Sequence, residues 1–286
     1  MGLGSNHVTT TTAANFIPEL WTLDVIEAAE ANLVMAELVT RFDDAAAGGG
    51  DIIHVPTVAD FSANNKTANT EVTPQANTEG KVDISLNQHK EVSFLIEDIV
   101  AVQAKQSLRE VYTKKAGYAI AKAIDEALLG LYSGLSQNVS CGDAIVAADL
   151  RDGIEYLDSA GAPLSERALI ISPLQKNEML GTAEFVSMSY VGQNGEALPT
   201  KSGLLGELYG VPVYVSGNVV RTGSSPDYIH HNLLFQKGAF GLAIQLGPRV
   251  QANYVPQYLG TLVTVDVIYG FAELRDAFGV DLQTNA

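Results

Sequence analysis

The sequence predicts an α+β protein, because three stretches of the chain carry different periodicities. Apolar and polar residues alternate from Lys81 to Ile96, as they do in a strand with one buried face. Between about Glu97 and Tyr132 the apolar residues recur every three or four positions, which is typical of a helix. From about Ser136 onward, short helix and strand signals are interleaved, which indicates a compact mixed region.

The alternating stretch predicts the second strand of a long hairpin. The first strand is predicted by Ile52, Ile53, Val55 and Val58, which follow the break at three consecutive glycines. Eight of the twenty residues from 61 to 80 are Asn or Thr, so this segment is expected to form a polar tip. At about 3.4 Å per residue the second strand reaches roughly 50 Å.

A two-stranded hairpin is marginally stable by itself in water, so another surface is expected to cover its apolar face. A neighbouring subunit is the simplest candidate. Subunit contacts at the tip are predicted for Asn64, Asn65 and Lys66.

The predicted long helix indicates an extended protein. About 36 residues of helix span roughly 54 Å. A compact chain of 286 residues has a diameter of about 50 Å, so one helix would be as long as the whole body.

The amino-terminal part is predicted to be an arm followed by a helix that starts at Pro18, where a proline fits the first helical position. From Met1 to Asp60 there are nine acidic residues and one basic residue, so half of the net charge of −16 lies here. Two interpretations stay open: the helix packs on a partner, or its charged face is solvated.

Short elements are predicted in the second half of the chain. Asp149 precedes a helix that carries Leu150, Ile154 and Leu157 and ends at Gly161. Ser172 to Gln175 has the pattern of a capping box with proline at the first helical position. Strands are predicted at Ala168–Ile171, Val211–Val215, Leu233–Phe235, Gly241–Leu246 and Leu262–Tyr269, and Pro212 indicates a strand edge or a strand start.

Charge and composition exclude several classes of protein. There are 17 basic and 33 acidic residues, which is a poor match for binding nucleic acid through a basic face. A single cysteine excludes an internal disulfide framework. The longest charge-free stretch, from Val250 to Val265, contains polar residues and proline and is too short to span a bilayer, and no secretory signal is visible.

The chemistry-bearing residues do not form a catalytic pattern, so the sequence predicts no enzyme, no cofactor and no metal site. Cys141 lacks a histidine partner and is expected to be a buried thiol. His230 and His231 are adjacent and would face opposite sides of a strand, so they are expected to be structural. The remaining candidates are interpreted as solvated or loop turns: Asp43, Asp44 and Asp51 around the triple glycine, and Gly203, Gly206 and Gly210.

Several short motifs resemble the major capsid proteins of tailed bacteriophages, whose fold is shared with encapsulin shells. Their order along the chain is more specific than any one of them. The motifs are Phe16-Ile17-Pro18-Glu19-Leu20-Trp21, Asn32-Leu33-Val34, Phe94-x-Ile96-x-Asp98-Ile99, Ile124-Asp125, Leu169-Ile170-Ile171-Ser172-Pro173, Gly206-x-Leu208-Tyr209-Gly210-Val211-Pro212-Val213, Lys237-Gly238-Ala239 and Tyr269-Gly270.

The resemblance implies a division of the chain. Residues 1–50 would be the amino-terminal arm and its helix, and residues 51–96 an extended hairpin loop that lies across the adjacent subunit. Residues 97–134 would hold the spine helix of a peripheral domain, and residues 135–245 an α/β axial domain. Residues 246–286 would be the return strand of the peripheral domain and the carboxyl-terminal segment.

The resemblance also implies a structural function. Copies of the chain would form pentamers and hexamers that close into an icosahedral shell around double-stranded phage DNA, without sequence-specific binding. The protein would be part of the virion and assemble in the bacterial cytoplasm, with separate scaffolding, portal and decoration proteins as partners. The alternatives are an encapsulin-like compartment with enclosed cargo and a soluble enzyme with an unrecognised site.

Some relatives form a covalent cross-link between a loop lysine and an asparagine of a neighbouring subunit. Lys66 lies at the predicted tip and is the lysine that could serve. No motif marks an asparagine acceptor or an assisting glutamate, so a cross-link is not expected.

Overall fold

The computed structural model describes residues 8–9, 34–58, 61–72, 74–75, 79–98, 108–181, 204–224 and 227–285. The helix predicted from Pro18, residues 99–107 of the predicted long helix and residues 182–203 of the predicted loop region lie outside the described residues. The described helices are α1 (Met35–Leu38), α2 (Asp43–Ala46), α3 (Leu108–Leu129), α4 (Ala147–Ser159) and α5 (Pro173–Gly181).

Fourteen strands are described. In chain order they are β1 (Val8–Thr9), β2 (Thr40–Arg41), β3 (Ile52–Val58), β4 (Glu79–Ser85), β5 (Gln88–Glu97), β6 (Asn138–Ser140), β7 (Arg167–Ile171), β8 (Leu204–Leu208), β9 (Val211–Val215), β10 (Arg221–Ser224), β11 (Asp227–Gln236), β12 (Phe240–Val255), β13 (Gly260–Glu273) and β14 (Gly279–Asn285).

The described strands form three sheets. A five-stranded sheet has the order β1-β5-β13-β12-β2, and β3 pairs with β4 in a two-stranded sheet. The third sheet has seven strands in the order β6-β14-β11-β7-β9-β8, with β10 added on β11. The mixture of helices and sheets confirms the predicted α+β class.

The seven-stranded sheet is covered on both faces, which explains the continuous apolar run at its centre. All five residues of β7 are buried. Ala168 and Ile170 pack in one core cluster, whereas Leu169 and Ile171 pack in another with Leu150 and Leu157 of α4. The strand predicted at Ala168–Ile171 is confirmed. The predicted helix with Leu150, Ile154 and Leu157 is present, but it begins at Ala147, so Asp149 lies inside it and does not precede it.

Helix α3 packs on the five-stranded sheet and joins it to the seven-stranded sheet. Ala116, Ile120, Ile124 and Leu128 lie in one buried cluster with Val263, Val265 and Val267 of β13 and with Leu233 and Phe235 of β11. These helical residues recur every four positions, which is part of the periodicity that predicts the helix. Within the described residues, none of the helices combines the length and hydropathy needed to cross a membrane.

The predicted start of the long helix at about Glu97 agrees with the structure to within one residue, because Asp98 is helical. Glu97 is the last residue of β5 and pairs with Gly260 of β13, so the strand ladder extends to this point. The described α-helix has 22 residues and is therefore about 33 Å long. A 3-10 helix continues it from Gly130 to Gly134.

The prediction of one continuous strand from Lys81 to Ile96 is wrong. The chain changes sheets between Ser85 and Gln88: β4 pairs with β3, whereas β5 pairs with β13. Gly270 of β13 makes the crossing possible, because a Cβ atom there would lie 2.4 Å from the carbonyl oxygen of Ser85. The alternation of polar and apolar residues runs through this break, so it could not reveal the change of partner.

The predicted helix cap at Ser172 and the predicted strand start at Pro212 are both present in the structure. The backbone N–H of Gln175 donates to Ser172 Oγ (3.2 Å), as a cap requires. Gln175 does not complete a capping box, because its side chain bonds Ile145 and Asp143 instead. Pro212 lies at a strand start and not at an edge, because β9 is flanked by β7 and β8.

The predicted glycine turns have mixed outcomes. Gly210 lies in the tight turn between β8 and β9 with φ of +80°, following Tyr209 at +50°. Gly206 does not lie in a turn, since it sits inside β8 where the register with β9 shifts. Gly203 lies outside the described residues.

The predicted domain boundaries stay a prediction. The last two strands, β13 and β14, were predicted to lie in one segment, but they belong to different sheets. Strand β14 pairs with β11 and β6 of the seven-stranded sheet. The apolar residues Val280 and Leu282 are buried there against α4 and β11, which accounts for the pairing.

Candidate functional site

The hairpin formed by β3 and β4 is the candidate assembly site. Its strands pair antiparallel over seven residue pairs, from Ile52 with Ser85 to Val58 with Glu79. Among the described strands, neither pairs with any other strand. The hairpin therefore offers free edges to another chain.

The base of the hairpin is fixed to the body by a small apolar cluster. Ile84 and Leu86 are buried against Ala46 of α2 and Ala243 of β12. The backbone N–H of Leu86 also donates to the carbonyl oxygen of Asp51 (2.7 Å). The hairpin consequently has a rigid origin on the protein surface.

The described tip, residues 61–72 with 74 and 75, is exposed throughout. A side-chain clasp closes it: Ser62 N–H donates to Gln75 Oε1 (3.1 Å), and Gln75 Nε2 donates to the carbonyl oxygen of Ser62. Thr70 Oγ1 donates to the carbonyl oxygen of Thr67 (2.8 Å), and Asn69 follows the turn with φ of +63°. The tip has local order without any buried core.

The predicted contact residues lie in this tip. Asn64, Asn65 and Lys66 are exposed, and Lys66 Nζ donates only a long bond to the neighbouring Thr67 carbonyl oxygen (3.4 Å). Their role in subunit contacts stays a prediction.

Two apolar side chains at the tip were missed by the sequence reasoning. Phe61 is 65% exposed and Val72 is 69% exposed, one on each side of the tip. Exposure of such large apolar groups to water is unfavourable, so a surface that covers them would be stabilised. The available signal was an aromatic residue at the start of a segment otherwise rich in Asn and Thr.

The outer face of the hairpin carries a charged cluster. Asp83 accepts from His54 Nδ1 (2.5 Å) and from Lys81 Nζ (3.0 Å). The hydrogen bond from His54, and then that from Lys81, lower the pKa of Asp83. Ile53 and Val55 of β3 point the other way and pack against the cluster at the base of the hairpin.

A second exposed surface lies at the turn between β12 and β13. Tyr254, Tyr258 and Leu259 are 52%, 37% and 66% exposed, and Leu259 has φ of +44°. Tyr254 donates its hydroxyl to Asp98 Oδ2 (2.8 Å), which holds the ring at the surface. This turn is a second candidate contact between subunits.

Cys141 is a buried thiol. Burial, and after it the carboxyl groups of Asp149 and Asp281, raise its pKa to about 12. Its Sγ lies 3.5 Å from the carbonyl oxygen of Val139. A thiol in this state is not a nucleophile at neutral pH.

His231 is buried and fully partnered, as a structural histidine is. Its Nδ1 lies 2.7 Å from Asp281 Oδ2 and its Nε2 lies 2.9 Å from Thr222 Oγ1. Tyr132 stacks on its ring with centroids 3.9 Å apart. The group ties three strands to the 3-10 helix that continues α3, and His230 does not share its partners.

Asp43 does not lie in a solvated turn as predicted, because it begins helix α2 and its side chain is bonded to the body. Asp43 accepts from the backbone N–H of Ile244 (2.8 Å) and from Arg41 Nε (2.8 Å). This fixes α2 beside β12. Among the residues that the structure describes, no group of three or more histidine, cysteine or acidic side chains is placed to hold a metal ion.

Comparison with known proteins gives matches at the level of structure. Neither the protein-family models nor the curated proteins include one that matches this sequence. A structure of Mycobacterium phage Che8 superposes with a TM-score of 0.69 at 21% identity, over 87% of this chain and 90% of the other.

Two further structures are similar over most of the chain. The capsid of Ralstonia phage GP4 gives a TM-score of 0.67 at 13% identity, over 87% of both chains. The capsid structure of the Cyanophage P-SCSP1u gives 0.64 at 16% identity, over 88% of both chains. This chain therefore has the fold of the major capsid proteins of tailed phages.

Proposed function

We propose that this chain is the major structural subunit of a phage head, in which many copies close into an icosahedral shell around the genomic DNA. The observation that carries the proposal is the similarity of fold to phage capsid structures over 87% of the chain. The function is mechanical, and it requires contacts between copies and no reaction centre.

The described surfaces support association between copies. The hairpin projects two free strand edges and two exposed apolar side chains, Phe61 and Val72. A second copy lying against the tip would cover these side chains, and Asn64, Asn65 and Lys66 would take part in the same contact. Pentamers and hexamers follow when such head-to-tail contacts close into rings.

The charge of the chain fits a container for DNA. With a net charge of −16, the subunit is a poor match for the phosphate backbone, so packaged DNA would be held without sequence-specific binding. We infer that the protein resides in the virion and assembles in the bacterial cytoplasm. Scaffolding, portal and decoration proteins would be separate partners.

An encapsulin-like compartment is the alternative within the same fold, and particles isolated from the native source distinguish the two. Nuclease-protected double-stranded DNA inside the particles supports the phage head. Particles that contain an enzyme and no DNA support the compartment.

Negative-stain electron microscopy of the purified chain, with sedimentation velocity on the same sample, tests the proposal. We expect closed shells tens of nanometres across, or pentamers and hexamers. A monodisperse monomer or dimer under all salt conditions would overturn it. A single monomer-sized band on a denaturing gel of mature shells is expected if Lys66 forms no cross-link.

A further inference from the structure

Asp125 is a buried carboxyl group that none of the proposed subunit contacts uses. It lies on α3 and is 1% exposed. Its Oδ1 accepts from the backbone N–H of Met35 (3.1 Å), and its Oδ2 accepts from Asn218 Nδ2 (3.2 Å). These donors are 90 and 93 residues away in the sequence.

The first of these bonds caps helix α1. The position before the helix is occupied by Val34, which has no side-chain oxygen, and α1 has no side-chain cap of its own. Asp125 supplies the missing acceptor from another element, at the end of the helix where a negative charge is favoured. Met35 and Ala36 are buried here in the core cluster.

The second bond reaches the seven-stranded sheet. Asn218 lies in the loop between β9 and β10, and its backbone N–H donates to Ser216 Oγ (3.2 Å). One carboxyl group therefore joins the first turn of α1, the helix of the five-stranded layer and a loop of the seven-stranded sheet. A change at Asp125 acts on all three at once.

The surroundings of Asp125 act on its pKa in both directions. Burial is the largest influence on its pKa and raises it, while the bonds from Met35 and Asn218 act in the opposite direction. Glu126, the next residue on α3, raises it further and is itself paired with Lys122. Helix α1 adds the acidic Glu37, and the loop from 216 to 220 contains no charged residue.

We propose that Asp125 is a proton-controlled latch that holds the first turn of α1 against α3 and the β9–β10 loop. In the closed latch the carboxyl group is buried, and in the open latch it is in water. Protonation removes the cost of burying the charge, so acid favours the closed state. Asn218 can turn its amide and accept the new O–H, so the protonated group stays partnered.

The direction of the pH effect follows from the two states. The closed latch has the higher pKa, so it gains stability below the ordinary pKa of an aspartate and loses it as the pH rises through the raised value. Each pKa unit between the two states changes the opening equilibrium about tenfold. Above the raised pKa the opening no longer depends on pH.

Hydrogen exchange of the full-length chain from about pH 4 to about pH 8, read by mass spectrometry, tests the latch. After correction for intrinsic exchange, peptides that cover residues 34–41 should open more with rising pH and then level off. Asp125→Asn should make their opening independent of pH and at least as rare as in the wild type at neutral pH. The exposed Asp152→Asn, also an Asp-to-Asn change, should keep the wild-type profile.

A second variant keeps the test decisive if Asp125→Asn does not fold. Asn218→Ala removes one bond to the ionised form, so the pH at which opening levels off should move upward. A wild-type profile that is flat, or an Asp125→Asn profile that rises like the wild type, would overturn the proposal. The readout concerns the subunit itself, so it is independent of whether shells form.

Discussion

At the scale of single residues, the fold is held by polar groups whose partners are far away in the sequence. Asp266 of β13 accepts two bonds from Arg249 of β12, at 2.8 and 2.9 Å, and lies 3.2 Å from His89 Nε2. The Arg249 bonds are the largest of the effects that lower the pKa of Asp266. The pair sits where the register between β12 and β13 shifts, next to Leu246.

Asp266→Asn is expected to lower the thermal midpoint at neutral pH, because it removes a two-bond ion pair. The pKa of Asp266 is lower in the fold than in the unfolded chain, so its stabilisation is present above its ordinary pKa. It is lost as the pH falls through the lowered value. The midpoint difference from the wild type, followed by circular dichroism, should therefore shrink in acid. A difference of equal size at both pH values would contradict this assignment.

Gly270→Ala is expected to destabilise the subunit by about 1–3 kcal/mol, because the new methyl group would collide with the Ser85 backbone. Gly247→Ala is the matched control: it also lies in a long strand, and a Cβ there meets nothing within 4 Å. Denaturant unfolding of both variants measures the difference. Equal stability of the two would mean that the crossing at Ser85 does not need a glycine.

Cys141 should resist thiol reagents while the protein is folded. Burial keeps its pKa near 12, so almost no thiolate exists at neutral pH. Labelling with a chromogenic disulfide should be slow in the native protein and complete after unfolding. Fast stoichiometric labelling of the native chain would show that the thiol is accessible.

At the scale of elements, the sequence predicted those whose pattern depends only on their own residues. The buried strand at Ala168–Ile171, four of the five residues of β7, and the apolar stripe of α4 were both predicted. The capping signal at Ser172 was correct. The Gln175 side chain, however, forms hydrogen bonds to the backbone of Ile145 and Asp143 and not to the cap residue. These features follow from periodicity and backbone hydrogen bonding, which are local.

The errors concern the choice of partner. A polar and apolar alternation looks the same when a chain leaves one sheet and enters another, so β4 and β5 were predicted as a single strand. Asp125, Phe61 and Val72 were missed because their importance lies in distant contacts or in exposure.

The hairpin tip yields a prediction for assembly. Phe61→Ser with Val72→Ser should leave the unfolding midpoint unchanged, since both side chains are largely exposed in the subunit. The same change should reduce assembly, because each covered apolar side chain contributes about 1.5–3 kcal/mol to a contact. Sedimentation velocity measures the fraction assembled.

Two results would contradict this role of the tip. Unchanged assembly of the double variant would place the subunit contact elsewhere, for instance at the exposed turn between β12 and β13. A lower unfolding midpoint would mean that the two side chains stabilise the subunit itself.

At the scale of the whole molecule, the net charge of −16 opposes association between copies. Salt screens charges that are separated by more than about 8 Å at physiological ionic strength. Assembly at neutral pH should therefore increase with sodium chloride, as measured by light scattering at fixed protein concentration. A decrease with salt would mean that ion pairs between copies outweigh the general repulsion.

One shared core joins the two large sheets and helix α3, and the hairpin starts from its edge. The five-stranded sheet and α3 share one core with the inner face of the seven-stranded sheet, so the two sheets and the helix form one packed unit. The hairpin leaves this unit from a buried base at Ile84 and Leu86 and ends in an exposed tip. A rigid body with a projecting, unpaired hairpin is suited to reach another copy.

The central claim is that copies of this chain form a shell in which the hairpin of one copy contacts the next. Electron cryo-microscopy of the assembled protein, at a resolution that traces the chain, tests it most directly. We expect a closed shell in which residues 61–75 of each copy lie on a neighbouring subunit. A chain that forms no closed shell, or a shell in which the hairpin contacts only its own subunit, would contradict it.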